Sequence, residues 1–265
     1  MKNSAKQNLT LRLIKILKFF GFGRGGLKKI LASYLKLNMG NEKVLFDYNG
    51  IKFILNPSDN STDSKMIVSS RTLEKLELNY LKSMKKSKNA IFLDIGANIG
   101  YYSLMSAKLG FKKIYAFEPI ANTFLRLQEN IKINSLEKVI IPIQKAVGEK
   151  NADEYIYQDI ENIGNSSILI KGNKTKKLKI NMIELCNFFQ QNNISNIDAI
   201  KLDIEGYEDR ALINLFLNKH NKIFPKLLII EHSNKELWKY NLFEKLEAKG
   251  YKKMNSTRGN TIYMN

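Results

Sequence analysis

The sequence predicts an α/β fold, doubly wound around a mostly parallel sheet. Three observations carry that prediction. Short apolar runs alternate with helical stretches between about residues 90 and 231. The first of these runs, Ile91 to Leu93, passes through Asp94 into a glycine-spaced turn, Asp94-Ile95-Gly96-Ala97-Asn98-Ile99-Gly100. The second run ends in Glu118-Pro119, with Glu118 lying 18 residues beyond Gly100. Strand, glycine turn, helix, strand and terminal acid make the βαβ unit on which a nucleoside cofactor sits.

Taken in order, the chain opens with Leu9, Leu13, Ile16, Leu17 and Phe20 at helical spacing, interleaved with Arg12, Lys15 and Lys18. Gly21-Phe22-Gly23-Arg24-Gly25-Gly26 interrupts, and Leu27, Ile30, Leu31 and Tyr34 resume the pattern. Residues 9–37 thus read as two short amphipathic helices around a glycine hinge. They suit either an anionic membrane surface, bringing the chain to a lipid-linked substrate, or a cap packed on the core or on a partner subunit. Residues 43–55 alternate on both sides of Asn49-Gly50, a strong hairpin signal. Residues 71–84 predict a helix with Leu73, Leu76 and Tyr80 on one face, packed beside the cofactor site.

Strands are expected near 90–94, 113–117 and 139–145, with helices near 99–109 and 120–133, an alternation that requires a parallel sheet with right-handed crossovers. Residues 152–181 interrupt it with short β-like pieces, 154–158 and 177–181, around Gly164-Asn165-Ser166-Ser167. An insertion there belongs near the carboxyl edge of the sheet, where substrate loops lie. A helix near 182–191, strand 198–202, helix 207–218, strand 226–231, helix 235–248 and a hairpin of 251–255 with 261–264 complete the chain. No internal repeat and no low-complexity linker is visible.

The glycine turn has a chemistry of its own. Gly96 lets the chain turn tightly and a ligand approach the backbone. Gly100 lets the new helix pack on its strand, and amides at the helix start can donate to a polar ligand. A carboxylate at Glu118 can accept from both ribose hydroxyls. The spacing from Asp94 is D-x-G-x-N-x-G, so Asn98 stands where a dinucleotide site has its middle glycine. That departure disfavours a nicotinamide dinucleotide and suits S-adenosylmethionine, which has a ribose for Glu118, a charged amino-acid tail for Asp94 and the turn, and no pyrophosphate. The plainer alternative is a strand-turn-helix with glycines for packing alone.

The segments FLDIGANIGYYSL (92–104), YAFEP (115–119), FLRLQENIKIN (124–134) and IDAIKLDIEGYE (197–208) resemble the FkbM family of S-adenosylmethionine-dependent methyltransferases, with a weaker likeness at LLIIEHS (227–233). The resemblance spans about residues 88 to 235 and leaves the first 80 residues without a counterpart. It implies a class I methyltransferase (Rossmann-like) fold with a seven-stranded sheet whose last strand is antiparallel. It also implies O-methylation of a hydroxyl on a sugar, glycolipid or secondary metabolite. On this reading residues 1–85 form an N-terminal extension of basic helices, hairpin and lid-like helix, and residues 86–265 form the methyltransferase domain. The expected donor site is Asp94, Gly96, Asn98, Gly100, Tyr102, Ser103, Glu118 and Pro119, with Ala146 and Val147 where this fold places the adenine.

Methyl transfer to an alcohol needs the oxygen held in line and its proton removed. Lys201, Asp203 and Glu205 stand at period two and face one way if the chain stays extended. Asp203 and Glu205 are therefore candidate catalytic residues, or else caps of the helix that follows. Glu231-His232 ends the adjacent strand, and His232 is the third candidate, a base near neutral pH. Asp203, Glu205, Glu231 and His232 are also of a kind that holds a divalent cation, but no metal is expected, because oxygen-rich clusters form for other reasons. Asn165-Ser166-Ser167 would suit a sugar hydroxyl, and a turn explains it equally.

Composition sets the outer bounds. The 265 residues suffice for one α/β domain and an extension, and 44% are apolar. The single cysteine, Cys186, excludes an internal disulfide and a cysteine-rich zinc site. No run approaches the ~20 apolar residues of a membrane span, and no signal peptide is recognised. The net charge of +18 raises nucleic acid, an anionic membrane or an acidic substrate as partners, against the bland reading of a compositional bias in Lys, Asn and Ile. Nucleic acid is disfavoured, since no Asn-Pro-Pro-Tyr type motif and no aromatic-basic platform is present and Cys186 falls in a predicted helix. An RNA methyltransferase and an inactive Rossmann-like module tied to a membrane remain the alternative functions. The expected setting is cytoplasmic, with a small-molecule, sugar or lipid-linked glycan acceptor; for residues 9–37 a packed cap is slightly favoured, with peripheral contact at the inner, anionic membrane face as the other reading.

Overall fold

The βαβ rhythm of the sequence resolves into a seven-stranded sheet in a computed structural model, which describes residues 2–70, 72–84 and 89–265. The chain divides into two units, the residues up to Lys75 with Asp159–Gly164, and Leu76–Gln158 with Asn165–Asn265. The expected domain boundary at 85/86 and the first position of the expected helix 71–84 lie outside the described residues.

In the first unit, α1 (Ala5–Phe19) starts in a capping box, with Ser4 Oγ accepting from the Gln7 amide and the Gln7 side chain from the Ser4 amide. Helix α2 (Leu27–Met39) follows the glycine segment. Strands β1 (Val44–Tyr48) and β2 (Ile51–Leu55) pair antiparallel across Asn49 and Gly50, whose φ angles of 54° and 76° are those of a two-residue hairpin turn. Helix α3 (Ser61–Val68) is capped by Asn60. Ile14, Leu31, Leu35, Phe53 and Met66 are among the buried residues of this unit.

The second unit is built on β3 (Ile91–Ile95), β4 (Lys113–Phe117), β5 (Ile140–Ile143), β9 (Ala199–Leu202), β10 (Leu227–Glu231), β11 (Lys252–Ser256) and β12 (Asn260–Met264), in the order β11-β12-β10-β9-β3-β4-β5. The pairings among β3, β4, β5, β9 and β10 are parallel, and β12 runs antiparallel to both β10 and β11. This is the seven-stranded, doubly wound sheet with an antiparallel last strand that the resemblance implies. Helices α5 (Tyr101–Leu109), α6 (Ala121–Ile133), α7 (Leu185–Gln191), α8 (Glu208–Leu217) and α9 (Leu242–Ala248) supply its crossovers, and β3, β9 and β10 are apolar because they are covered on both faces. A second sheet, β6 (Ala146–Val147), β8 (Thr175–Ile183) and β7 (Ala152–Asp159) in the order β6-β8-β7, holds the insertion.

Three elements differ from expectation, each for a local reason. Helix α4 is Lys75–Ser83 because Glu74 sits at φ 49°, and it buries Glu77, Leu78 and Leu81 while Leu73, Leu76 and Tyr80 are half-buried. The insertion forms full strands of 152–159 and 175–183, so α7 begins at Leu185 on a Glu184 cap. The expected helix 235–248 is confined to α9. Asp209 Oδ2 accepts from the amides of Lys239 and Tyr240 at 2.7 and 2.8 Å, and Glu208 Oε2 from the Trp238 indole at 2.9 Å, which holds that stretch out of helix. Among the described residues no helix is long and apolar enough to cross a membrane.

Candidate active site

The carboxyl ends of β3, β4, β9 and β10 each deliver an acid. Asp94, on β3, is buried and accepts from Ser103 Oγ of α5 at 2.6 Å. Burial raises its pKa to about 6, opposed by the Ser103 hydrogen bond and the Lys201 charge. Gly96 follows at φ 80°, and a Cβ there would collide with the Asp203 carbonyl oxygen, so this glycine is required by the exit of β9 as well as by any ligand. At Gly100 a Cβ would come within 2.6 Å of Leu104 and 2.7 Å of Leu127, which sets how closely α5 and α6 pack.

The turn is locked to β4. The amides of Gly96 and Ala97 both donate to the Phe117 carbonyl, at 3.0 and 2.8 Å. Glu118 accepts from the Asn98 amide on Oε2 and from the Ile120 amide on Oε1, both at 3.0 Å. The turn amides of Gly96, Ala97 and Asn98 are thus engaged within the protein. Burial pushes Glu118 up to about 7. Pro119 leads into Ile120, which clusters with Ala146, Met182 and Tyr207 as an apolar patch beside Glu118, and Val147 joins the main core.

These residues fit S-adenosylmethionine. Each Glu118 oxygen keeps acceptor capacity beyond its one amide bond, which matches a ribose diol. Asp94 supplies a second buried carboxylate, matched to an ammonium, and the Ile120–Ala146 patch supplies an apolar wall for a base.

Beside these residues, at the ends of β9 and β10, stands a group of carboxylates with one buried lysine. Lys201 is fully buried, paired in register with Asp94, and its ammonium donates to the Leu202 carbonyl at 2.8 Å and to Asp203 Oδ2 at 3.4 Å. It lies 5.4 Å over the ring of Tyr102, which places that tyrosine between the donor turn and β9. Asp203 is 42% exposed and so meets solvent. Glu205 stands at φ 53° and accepts from Asn234 Nδ2 at 2.7 Å. Burial first, then the charges of Asp203, Glu231 and Glu208, push Glu205 up to about 8. Glu231 is raised by burial and by Asp203. Its Oε1 accepts from the Ser233 amide, while Oε2, and Asn260 Oδ1 directly across the β10–β12 ladder, are buried without a hydrogen-bond partner among the described residues.

Neither Asp203 nor Glu205 caps α8. Among the described residues no side chain caps it; Glu208, its first residue, instead ties down the loop before the helix, its carboxylate accepting from the amides of Ile204 (3.0 Å) and Gly206 (3.1 Å) and from the Trp238 indole. Glu208 and Asn260 are the residues that sequence reasoning missed here, and Glu231 was named only as a residue of the kind that holds a cation. Glu208 lies within the same KLDIEGYE string, and its fixed distance from the strand end was the available signal.

His232 follows Glu231 at the end of β10. Its Nδ1 pairs with Thr261 Oγ1 at 3.0 Å, and burial with the charges of Lys235 and Lys253 lowers its pKa. Ser167 is buried and donates to the Glu205 carbonyl at 2.7 Å while accepting from the amides of Leu169 and Ile170, so the insertion is pinned on the acidic turn. Burial and Glu184 raise the Cys186 thiol to about 12, which makes it an inert thiol. Among the described residues no cluster of metal-ligating side chains is found.

Residues 94–253 match the family described as the methyltransferase FkbM domain. No curated protein sequence matches the chain. Solved structures with a similar chain path include the human methyltransferase 10 domain containing protein, at 13% identity and a TM-score of 0.46 over 89% of this chain and 92% of that one. They also include a SAM-dependent methyltransferase from Agrobacterium tumefaciens, at 12% identity and 0.44 over 84% and 69%. A third is M. jannaschii TYW2 in complex with AdoMet, at 16% identity and 0.41 over 84% of each chain.

Proposed function

We propose that this chain, which belongs to the FkbM methyltransferase family, uses S-adenosylmethionine to methylate a hydroxyl oxygen of a sugar, glycolipid or other small metabolite. The observation that carries the oxygen assignment is the carboxylate cluster of Asp203, Glu205 and Glu231 at the ends of β9 and β10.

The donor supplies an electrophilic methyl on a good leaving group, so the protein's work is positioning and proton removal. Glu118 orients the ribose end, and its two amide bonds hold it in place before any ligand arrives. Asp94, steadied by Ser103, takes the cationic tail. Asp203, the open member of the cluster, meets the acceptor hydroxyl, with Lys201 holding its carboxylate. Burial first, and then the like charges of Asp203, Glu231 and Glu208, raise the proton affinity of Glu205, which puts a carboxylate titrating near neutral pH in the cluster without a histidine.

Calorimetric titration with S-adenosylhomocysteine, and NADH as control, tests the donor; binding of the former alone is the expected result. With a responsive acceptor from a panel of sugars and lipid-linked glycans, Asp203→Asn should lower turnover by about 100-fold or more, as loss of a general base does. Donor affinity should stay within about threefold. The wild-type rate should climb with pH toward about 8, where Glu205 titrates. Full turnover in the variant removes Asp203 from the chemistry.

A further inference from the structure

The first helix is apolar on two faces, and the fold covers the face that the periodicity does not favour. Gln7, Thr10 and Ile14 are buried. Leu9, Leu13, Ile16 and Phe20, four, three and four residues apart, form a stripe on the other side, and Leu9 is 69% exposed, Ile16 54% and Phe20 70%. Helix α2 repeats the arrangement, burying Leu31, Leu35 and Met39 and exposing Leu27, Ile30 and Leu37.

Charge accompanies the stripe. Residues 1–41 carry nine Lys and Arg and no Asp or Glu. On the helical wheel Lys6 and Arg12 flank the stripe of α1 on either side, both exposed. Arg12, Lys15 and Lys18 also share a groove of about 620 Å³ with Ile14 and Phe46, against one carboxylate, Asp47.

We propose that this face docks on an anionic phospholipid bilayer, with the Leu9–Phe20 stripe and Phe19 in the acyl boundary and the cations among the headgroups. The charge selects this occupant. A second copy would bring the nine cations of residues 1–41 against nine, and that segment holds no acid to offset them. RNA phosphates would answer the charge and leave the aliphatic stripe in water.

The test is co-sedimentation of the full chain with vesicles of phosphatidylcholine alone and of phosphatidylcholine mixed with phosphatidylserine. Sedimentation with the mixed vesicles only, lost at high salt, is expected. Arg12→Gln with Lys15→Gln should lower the partition coefficient about thirtyfold, equivalent to about 1 kcal/mol for each cation. Ile16→Ser with Phe20→Ser, at exposed positions, should abolish binding while leaving the circular dichroism spectrum intact. Failure of the folded wild-type protein to sediment, equal binding to both vesicle types, or unchanged binding by both variants would overturn the proposal. So would a dimer that Ile16→Ser with Phe20→Ser dissolves, or salt-sensitive RNA binding without vesicle binding.

Discussion

At the scale of single residues, Glu118 and Glu208 show how similar burial serves different ends. Glu118 accepts two backbone amides and faces the donor turn, whereas Glu208 accepts from two amides and an indole and faces none of it. Glu118→Ala should therefore weaken S-adenosylhomocysteine binding about tenfold to a hundredfold, the span of ~1.5–3 kcal/mol for a hydrogen bond to a charged group. Wild-type affinity should also fall as pH drops below about 7, where the Glu118 carboxylate takes up its proton. Calorimetry across pH 6 to 8 checks both, and unchanged affinity in the variant removes Glu118 from the donor site. Glu118 was legible in the sequence because its place after the second strand is set by the βαβ repeat. The partnerless Glu231 oxygen was not, because orphanhood depends on what every neighbouring side chain does.

Elements were legible in proportion to how much of their stability is local. Asn49-Gly50 names its own turn, and the hairpin formed with the expected two-residue loop. The parallel strands followed from apolar runs that burial on both faces requires. The helix expected over 235–248 was shortened from outside, by Glu208 and Asp209 on α8 capturing residues 238–240. Glu208→Ala should accordingly destabilise the protein by about 3 kcal/mol or more, since three donors lose a buried partner at ~1–3 kcal/mol each. Denaturant unfolding measures this, and a loss under about 0.5 kcal/mol, within the range of an ordinary surface substitution, would show that the loop between β9 and α8 is held by other contacts. The face of α1 is the other lesson at this scale. Periodicity identified two amphipathic helices, and only packing decided that Gln7, Thr10 and Ile14 go inward.

For the molecule as a whole, the buried acids predict an unusual pH response. Folded Glu118 and Glu208 titrate near 7 and Glu205 near 8, all raised first by burial above an ordinary 4.5. The folded state then holds protons that the unfolded chain releases, so these groups favour folding fully below about pH 4.5, and that contribution is lost as pH rises through 7 and 8. Unfolding free energy of the ligand-free protein should be lower at pH 8.5 than at pH 6.5, and a rise across that interval would contradict the burial of these carboxylates in ionisable form. By itself the sequence determined the order of strands and helices, the donor turn and the family, because those rest on periodicity and on motifs whose residues are close along the chain. Tertiary structure alone decided which acid of KLDIEGYE ties down the loop before α8, that Lys201 sits buried among carboxylates, that His232 turns to Thr261, and which apolar stripe stays in water. Each of those depends on groups brought together across strands, and the energy of burying a charge or an apolar face is set by neighbours that no single segment encodes.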